Sequence, residues 1–541
     1  MEGYFIKMRR LVIVGGGSAG WMAAAYLNGA LNSKGEKKVV DITLIESPDI
    51  PRITVGEASI PSINHVLSVI GLDEATFMKA TDATFKQSIK YVNWHKNDNS
   101  FYHHPFSRAR QGPIDFSGRD WMESKRNIPF METVSAQPIM CEMNLSPKML
   151  GQWTMGPPLK YAFHMNAQKF ADYLRDFSVE RGVTHILANM KNAKVDNGHI
   201  KHVKLDNERL VEGDIFIDCT GFKSLLMGKA LEVPYDDYSQ WLLCDQAIIA
   251  AFDYEDYFPG HIRPYTTATA LSSGWVWDTP LQSRRSIGYV HSSSFTTEEK
   301  AKRELLDYQD PKLKDADTRI IKFKSGQRRK AWSGNCISIG LSGGFIEPLE
   351  STGLYFCDLA AVMLAEHFPY RDEDMPQLAY RFNRIISNRY YEVLDFINMH
   401  YCLSKRTDTE FWKEVQKPEH ITDRLLAKFE HWKIKSPSMA DFDDQAFMGF
   451  NYNVVADDDM DPRPPVDTAG LWNHESYEAI LFGMGWRADE FSASSKPSRV
   501  FPFVMDRLKQ APSKIPPHHI WLHHALGMKP WTGNKVPAGW V

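Results

Sequence analysis

A glycine pattern near the start constrains the fold more than any other feature. Gly15, Gly17 and Gly20 spell GxGxxG, placed directly after the apolar run LVIV and directly before WMAAAYLNGAL. A short β-branched run, a tight turn and a stretch rich in Ala and Leu predict strand, turn and helix in that order. The first glycine permits the turn, the second lets the backbone approach a pyrophosphate, and the third lets helix pack on strand. Ser18 and Ala19 complete the turn, and the start of the helix offers its N–H groups to phosphate oxygens. A second apolar run, VVDITLIE, ends on Glu46, at the separation expected of an acid that takes ribose hydroxyls. The expected use of this βαβ unit is dinucleotide binding.

Two further strand-like segments, DIFIDCTGF (residues 214–222) and CISIG (residues 336–340), also stop at glycines. Open α/β sheets bind ligands beyond the carboxyl ends of their strands, so Asp218 and Gly340 are expected at the same crevice. A cofactor touched by such distant parts of one chain favours FAD over NAD. The sequence holds no second full GxGxxG for an NAD(P)H domain. Between roughly residues 90 and 330, alternating aromatic-rich segments such as SIKYVNW and SIGYVHSSS predict an inserted sheet on the substrate side. From residue 391 to 541 the pattern is mostly helical, interrupted by an acidic, proline-bearing stretch at 454–467 that reads as a surface loop or lid.

Composition narrows the partners. A formal net charge of -4 over 541 residues gives no electrostatic reason to expect nucleic acid or an anionic membrane surface. The apolar runs are too short to span a bilayer, and LVIV is too short for a secretion signal. The six cysteines show no CxxC and no histidine at metal-ligand spacing. They read as buried thiols in a reducing compartment, hence the cytoplasm, with no metal expected.

Three more motifs follow in order: GEASIP (residues 56–61) with ATFKQSIKYVNW after it, GWVWDTPL with Trp275, Trp277 and Pro280, and FIEPLESTG (residues 345–353). With YHHPF at 102–106 and HYCLSKRTDTEFW beginning at His400, these resemble the flavin-dependent halogenases of the tryptophan halogenase type. The resemblance implies an α/β fold of the flavin monooxygenase type occupying residues 1–390, with the inserted sheet, followed by the helical region 391–541. It implies an enzyme that forms hypohalous acid from a flavin hydroperoxide and chloride or bromide, then halogenates an electron-rich aromatic such as indole. Reduced FAD would come from a separate flavin reductase, and a homodimer is left open. By position, Lys86 in the FK motif and Glu350 take the catalytic roles, meeting in a pocket walled off from the flavin. Thr352 and Gly353 take the halide. His104, Phe106, Trp275, Trp277, Ser351 and Tyr477 take substrate-side places. Thr279 stands where the family's WxWxIP motif has isoleucine, and Ser476-Tyr477 stands where tryptophan halogenases carry a tyrosine pair. Indole or another aromatic without an amino-acid handle is therefore as well suited as free tryptophan.

Other readings of the same residues remain. Lys86, Ser88 and Lys90 alternate and could line a solvated strand face. His104 could be a satisfied structural histidine, and the two tryptophans ordinary core aromatics. A flavin-dependent hydroxylase would share the fold.

Overall fold

The computed structural model describes residues 8–32, 38–50, 55–110, 115–123, 127–151, 159–253, 262–309, 317–442, 471–486 and 499–527. The acidic stretch 454–467 lies outside the described residues. The chain divides into two compact units. One comprises Met1–Asp82, Met165–Asp237 and Phe323–Tyr390; the other comprises Ala83–His164, Tyr238–Lys322 and Tyr391–Val541.

The first unit is built on a six-stranded sheet with Arg9–Val14 near its centre. That strand pairs in parallel with Val40–Glu46 on one side and Ile215–Asp218 on the other. Thr184–Leu187 and Cys336–Ser338 extend the sheet in parallel, and the edge strand Trp332–Ser333 runs antiparallel. Leu11–Val14 and Ile215–Ile217 are apolar and buried at every position, as parallel strands covered on both faces must be, whereas Val40–Glu46 alternates buried apolar with half-buried polar residues. The helix Ser18–Asn32 packs with Ala167–Glu180 and Gly353–Glu366. Trp21 to Leu27 is buried along its whole length, so Ala supplies close contact rather than one amphipathic stripe. An antiparallel three-strand sheet, Met190–Asp196, His199–Leu205 and Leu210–Glu212, completes one core with Val12, Phe216 and Leu226.

The second unit centres on a seven-stranded sheet. Its order is Arg319–Lys322, Gln246–Asp253, Arg284–His291, Gly274–Pro280, Thr266–Ala270, Ser88–Val92 and Phe101–Pro105. All neighbours are antiparallel except Thr266–Ala270 with Ser88–Val92. Helix Glu298–Gln309 covers one face through Ala301, Leu305 and Leu306. Past residue 402 the described elements are all helical. Sheet-forming segments between 90 and 330 do not stay together: Ile215–Asp218 and Thr184–Leu187 join the first unit by parallel pairing, which buries every side chain of the former and only Ile186 of the latter. Among the described residues no helix is long and apolar enough to cross a membrane.

Candidate active site

The glycine turn has the geometry its spacing predicts. Gly15 adopts φ +117°, and a Cβ there would sit 2.2 Å from the Cys219 carbonyl oxygen. A Cβ on Gly20 would sit 1.9 Å from the Gly15 oxygen, so helix and strand touch through bare backbone. Gly17 differs: nothing lies within 4 Å of where its Cβ would be. This open side is where a pyrophosphate can reach the first turn of the helix, and the cradle fits FAD. Glu46 lies over the turn, its Cδ 2.3 Å from a Cβ built on Gly16. One carboxylate oxygen accepts from Trp21 Nε1 at 3.3 Å and lies 3.0 Å from His185 Nε2. Ser18 donates its hydroxyl to the Ala167 carbonyl at 3.2 Å. Gly340, at φ +78°, leaves its Cβ position 2.8 Å from Ala19, which brings the end of the distant strand onto the turn.

Asp218 requires a correction to the expected cofactor contact. Its carboxylate is fully buried. One oxygen accepts from the backbone and hydroxyl of Thr220, and the other accepts from the N–H groups of Leu226 and Met227. Four internal donors consume it, so its side chain shapes the turn at 219–227 and has no surface for a ligand.

In FIEPLESTG, Pro348–Glu350 forms a short 3-10 turn and Ser351 takes φ +58°, turning the chain into helix Gly353–Glu366. Glu350 and Glu347 are both buried. Thr352 precedes the helix with its Oγ1 buried and without a hydrogen-bond partner among the described residues, none of which a Cβ on Gly353 would meet within 4 Å. A helix N-terminus with an orphaned buried hydroxyl and an open first residue fits a small anion. Further along this helix, Asp358 accepts from Ser62 Oγ at 2.5 Å, and burial pushes its carboxyl up to about 7. Burial likewise pushes Glu57 of GEASIP up to about 7. The sequence presents both only as ordinary acids; their environment becomes visible when GEASIP is set beside the helix.

In the second unit Lys86 closes strand Thr84–Lys86 with no exposed surface, its Nζ 5.4 Å from the Phe106 ring centroid. The alternating pattern therefore does not mark a wet face. Ser88 is buried too, and Lys90 is neutralised by Glu142 at 2.8 Å. Trp275 is buried and Trp277 half-buried, with ring centroids 6.3 Å apart and both indole N–H groups lacking a partner among the described residues. Trp277 lies over Gly288, where a Cβ would be 2.1 Å from the ring. His104 and Tyr477 converge on Phe396, at 5.8 and 5.0 Å between centroids. Tyr477 is also enclosed by Trp432 and Phe442, so its ring is a supporting element of an aromatic cluster. Lys86 belongs to the second unit, and Glu350 and Ser351 belong to the first.

Beside Tyr477 lies an ion network that the sequence does not reveal. Arg108 bridges Asp115 at 2.8 Å and Glu478 at 2.7 Å, with all three side chains almost fully buried. His474 approaches Asp115 at 3.4 Å. The three acid and imidazole ligand atoms lie within 4.8 Å of one another, a spacing that could hold a metal ion. The guanidinium already supplies the countercharge there. Partners 370 positions apart leave no local signature.

Comparison with known proteins gives one consistent result. The family described as tryptophan halogenase matches residues 10–497. The chain is 34% identical to tryptophan 7-halogenase RebH of Lentzea aerocolonigenes, covering 96% of this chain and 99% of that protein. It is 32% identical to tryptophan 6-halogenase ThaL of Streptomyces albogriseolus, over 88% of this chain and 90% of that protein. Among solved structures, a tryptophan halogenase from Shewanella frigidimarina NCIMB 400 superposes with a TM-score of 0.85 at 30% identity, covering 97% of this chain and 99% of the other.

Proposed function

The chain belongs to the tryptophan halogenase family, and from that premise we propose that it halogenates an indole or related electron-rich aromatic, with Lys86 and Glu350 as its catalytic residues. The residue assignment is carried by the place of Lys86 in the FK motif together with its complete burial beside Phe106; Lys148, equally buried over Phe85, Tyr161 and Trp521, lies outside that motif. Removing an ammonium from water costs roughly several kcal/mol, which favours the neutral amine that the proposed chemistry at Lys86 uses.

FAD held in this cradle and reduced by a separate flavin reductase would supply, with oxygen, the two-electron oxidising equivalent needed to turn chloride or bromide into hypohalous acid. The residues of the chain do the rest. Gly15, Gly17 and Gly20 admit the pyrophosphate, and Glu46 takes ribose hydroxyls. The Thr352 hydroxyl and the N–H groups at Gly353 hold the halide. Lys86 holds the electrophilic halogen, by hydrogen bond to hypohalous acid or as an N-halamine. The aromatic ring attacks that halogen and displaces either hydroxide, which leaves as water with a proton from Lys86, or the lysine nitrogen, which takes up a proton to regenerate the amine; Glu350 accepts the ring proton as aromaticity returns. Trp275 and Trp277 keep substrate from the flavin, while His104 and Phe106 flank the reacting ring. With Ser476 in place of a tyrosine, indole or an indolic or phenolic aromatic is as well suited as tryptophan.

The test is mass spectrometry of a reaction containing the protein, FAD, NADH, a flavin reductase, chloride or bromide, and a panel including indole and tryptophan. Product with the halogen isotope pattern is expected. Hydroxylated product lacking halogen overturns the assignment.

A further inference from the structure

Next to Lys86 stands a histidine to which no role has been given. His164 lies in strand Ala162–Asn166, directly opposite Thr84, while Lys86 lies opposite Ala162. Antiparallel partners share a face and alternate residues return to it, so Thr84, Lys86 and His164 project to the same side. The imidazole is fully buried.

Its hydrogen bonds fix its state. The Thr84 hydroxyl donates to the Pro280 carbonyl at 2.6 Å, so toward His164 Nδ1, 3.1 Å away, its oxygen accepts. Nδ1 therefore carries the proton. Nε2 lies 2.9 Å from Thr266 Oγ1 and accepts that hydroxyl. Both nitrogens are occupied in a neutral ring. Burial, then the nearby Lys86 and His518, holds the His164 pKa well below its ordinary value. His518 is itself neutral: it accepts from the Phe85 N–H at 3.2 Å and donates to the Ile262 carbonyl at 2.9 Å. Lys148, a further buried cation of this unit, lies over the rings of Phe85, Tyr161 and Trp521.

We propose that His164 is a positioning residue for Lys86: Thr84 and Thr266 occupy both ring nitrogens, so the imidazole offers the amine neither a second positive charge nor a hydrogen-bond acceptor that would capture it. This rests on the reading of Lys86 as the residue that holds the halogen. Thr266 is then the determining partner. Without its hydroxyl, the Nε2 lone pair turns to the Lys86 ammonium and stabilises the charged form.

The test is the pH dependence of halogenation in Thr266→Val, Thr266→Ser, His164→Asn and the His164→Asn/Thr266→Val double variant. FAD binding and thermal unfolding are followed alongside, to confirm folded protein. In Thr266→Val one limb of the profile should move to higher pH by about one unit or more, a tenfold change in rate at fixed pH on that limb. Thr266→Ser, which keeps the hydroxyl, should restore the wild-type profile, and the double variant should superpose on His164→Asn. A Thr266→Val profile identical to wild type overturns the inference, as does an equal displacement in the His164→Asn background. Wild-type protein that makes no halogenated product takes down this inference together with the proposed function.

Discussion

Lys86 and Glu350 carry different parts of the chemistry, so their removal should fail differently. Lys86→Ala should abolish halogenated product while the protein still binds and oxidises reduced FAD. Glu350→Gln, which keeps the shape and loses the base, should lower kcat by about 10²-fold or more with the fold intact. Product assay and flavin oxidation followed in parallel distinguish the two. Asp358 makes a prediction about stability. Its folded carboxyl is raised to about 7, above the unfolded value, so the folded state binds the extra proton. Its contribution is fully present below the unfolded pKa and is lost as pH rises toward 7. Asp358→Asn should therefore match wild type near pH 4 and gain stability on it up to neutral pH, by at most about 4 kcal/mol. Thermal unfolding across that range checks the sign; a variant advantage that shrinks with rising pH contradicts it. At this scale the sequence was informative where chemistry is local. The tight turn at Gly15, Gly17 and Gly20 could be named from spacing, whereas the proposed halide place of Thr352 and Gly353 came through the family resemblance. Asp218 could not be placed correctly, because a carboxylate at a strand end looks the same whether it faces a ribose or four N–H and O–H donors of its own loop.

Among elements, the glycine turn offers the sharpest contrast. Gly20→Ala drives a methyl against the Gly15 carbonyl and should lower stability and FAD binding together. Gly17→Ala has space on the protein side and should leave unfolding unchanged while weakening FAD about tenfold or more, since the methyl points where phosphate must pass. Flavin fluorescence titration with a melting curve separates the two; equal losses in both variants would contradict this account. Strands such as Ile215–Asp218 and Cys336–Ser338 were legible because buried parallel strands read as unbroken apolar runs. The division of the region 90–330 was not. Whether an alternating strand pairs with its neighbours or with residues 200 positions away depends on long-range register that no local pattern encodes.

For the whole molecule, the proposed dependence on a separate flavin reductase makes a direct prediction. Protein supplied with FAD and NADH alone should give no product. Adding a flavin reductase, or reducing FAD chemically under oxygen-limited delivery, should restore it. Turnover with NADH and no reductase would show that the chain reduces its own flavin. The joint between Arg108, Asp115 and Glu478 bears on a different question. A methyl on Gly118 would land 1.7 Å from Glu478, and the guanidinium holds both carboxylates at hydrogen-bond distance. Helix His474–Gly483, which carries Tyr477, is thereby riveted in place. An attempt to retrain this catalyst for a bulkier aromatic would do better to rewrite the side chains around that helix than to try to slide it.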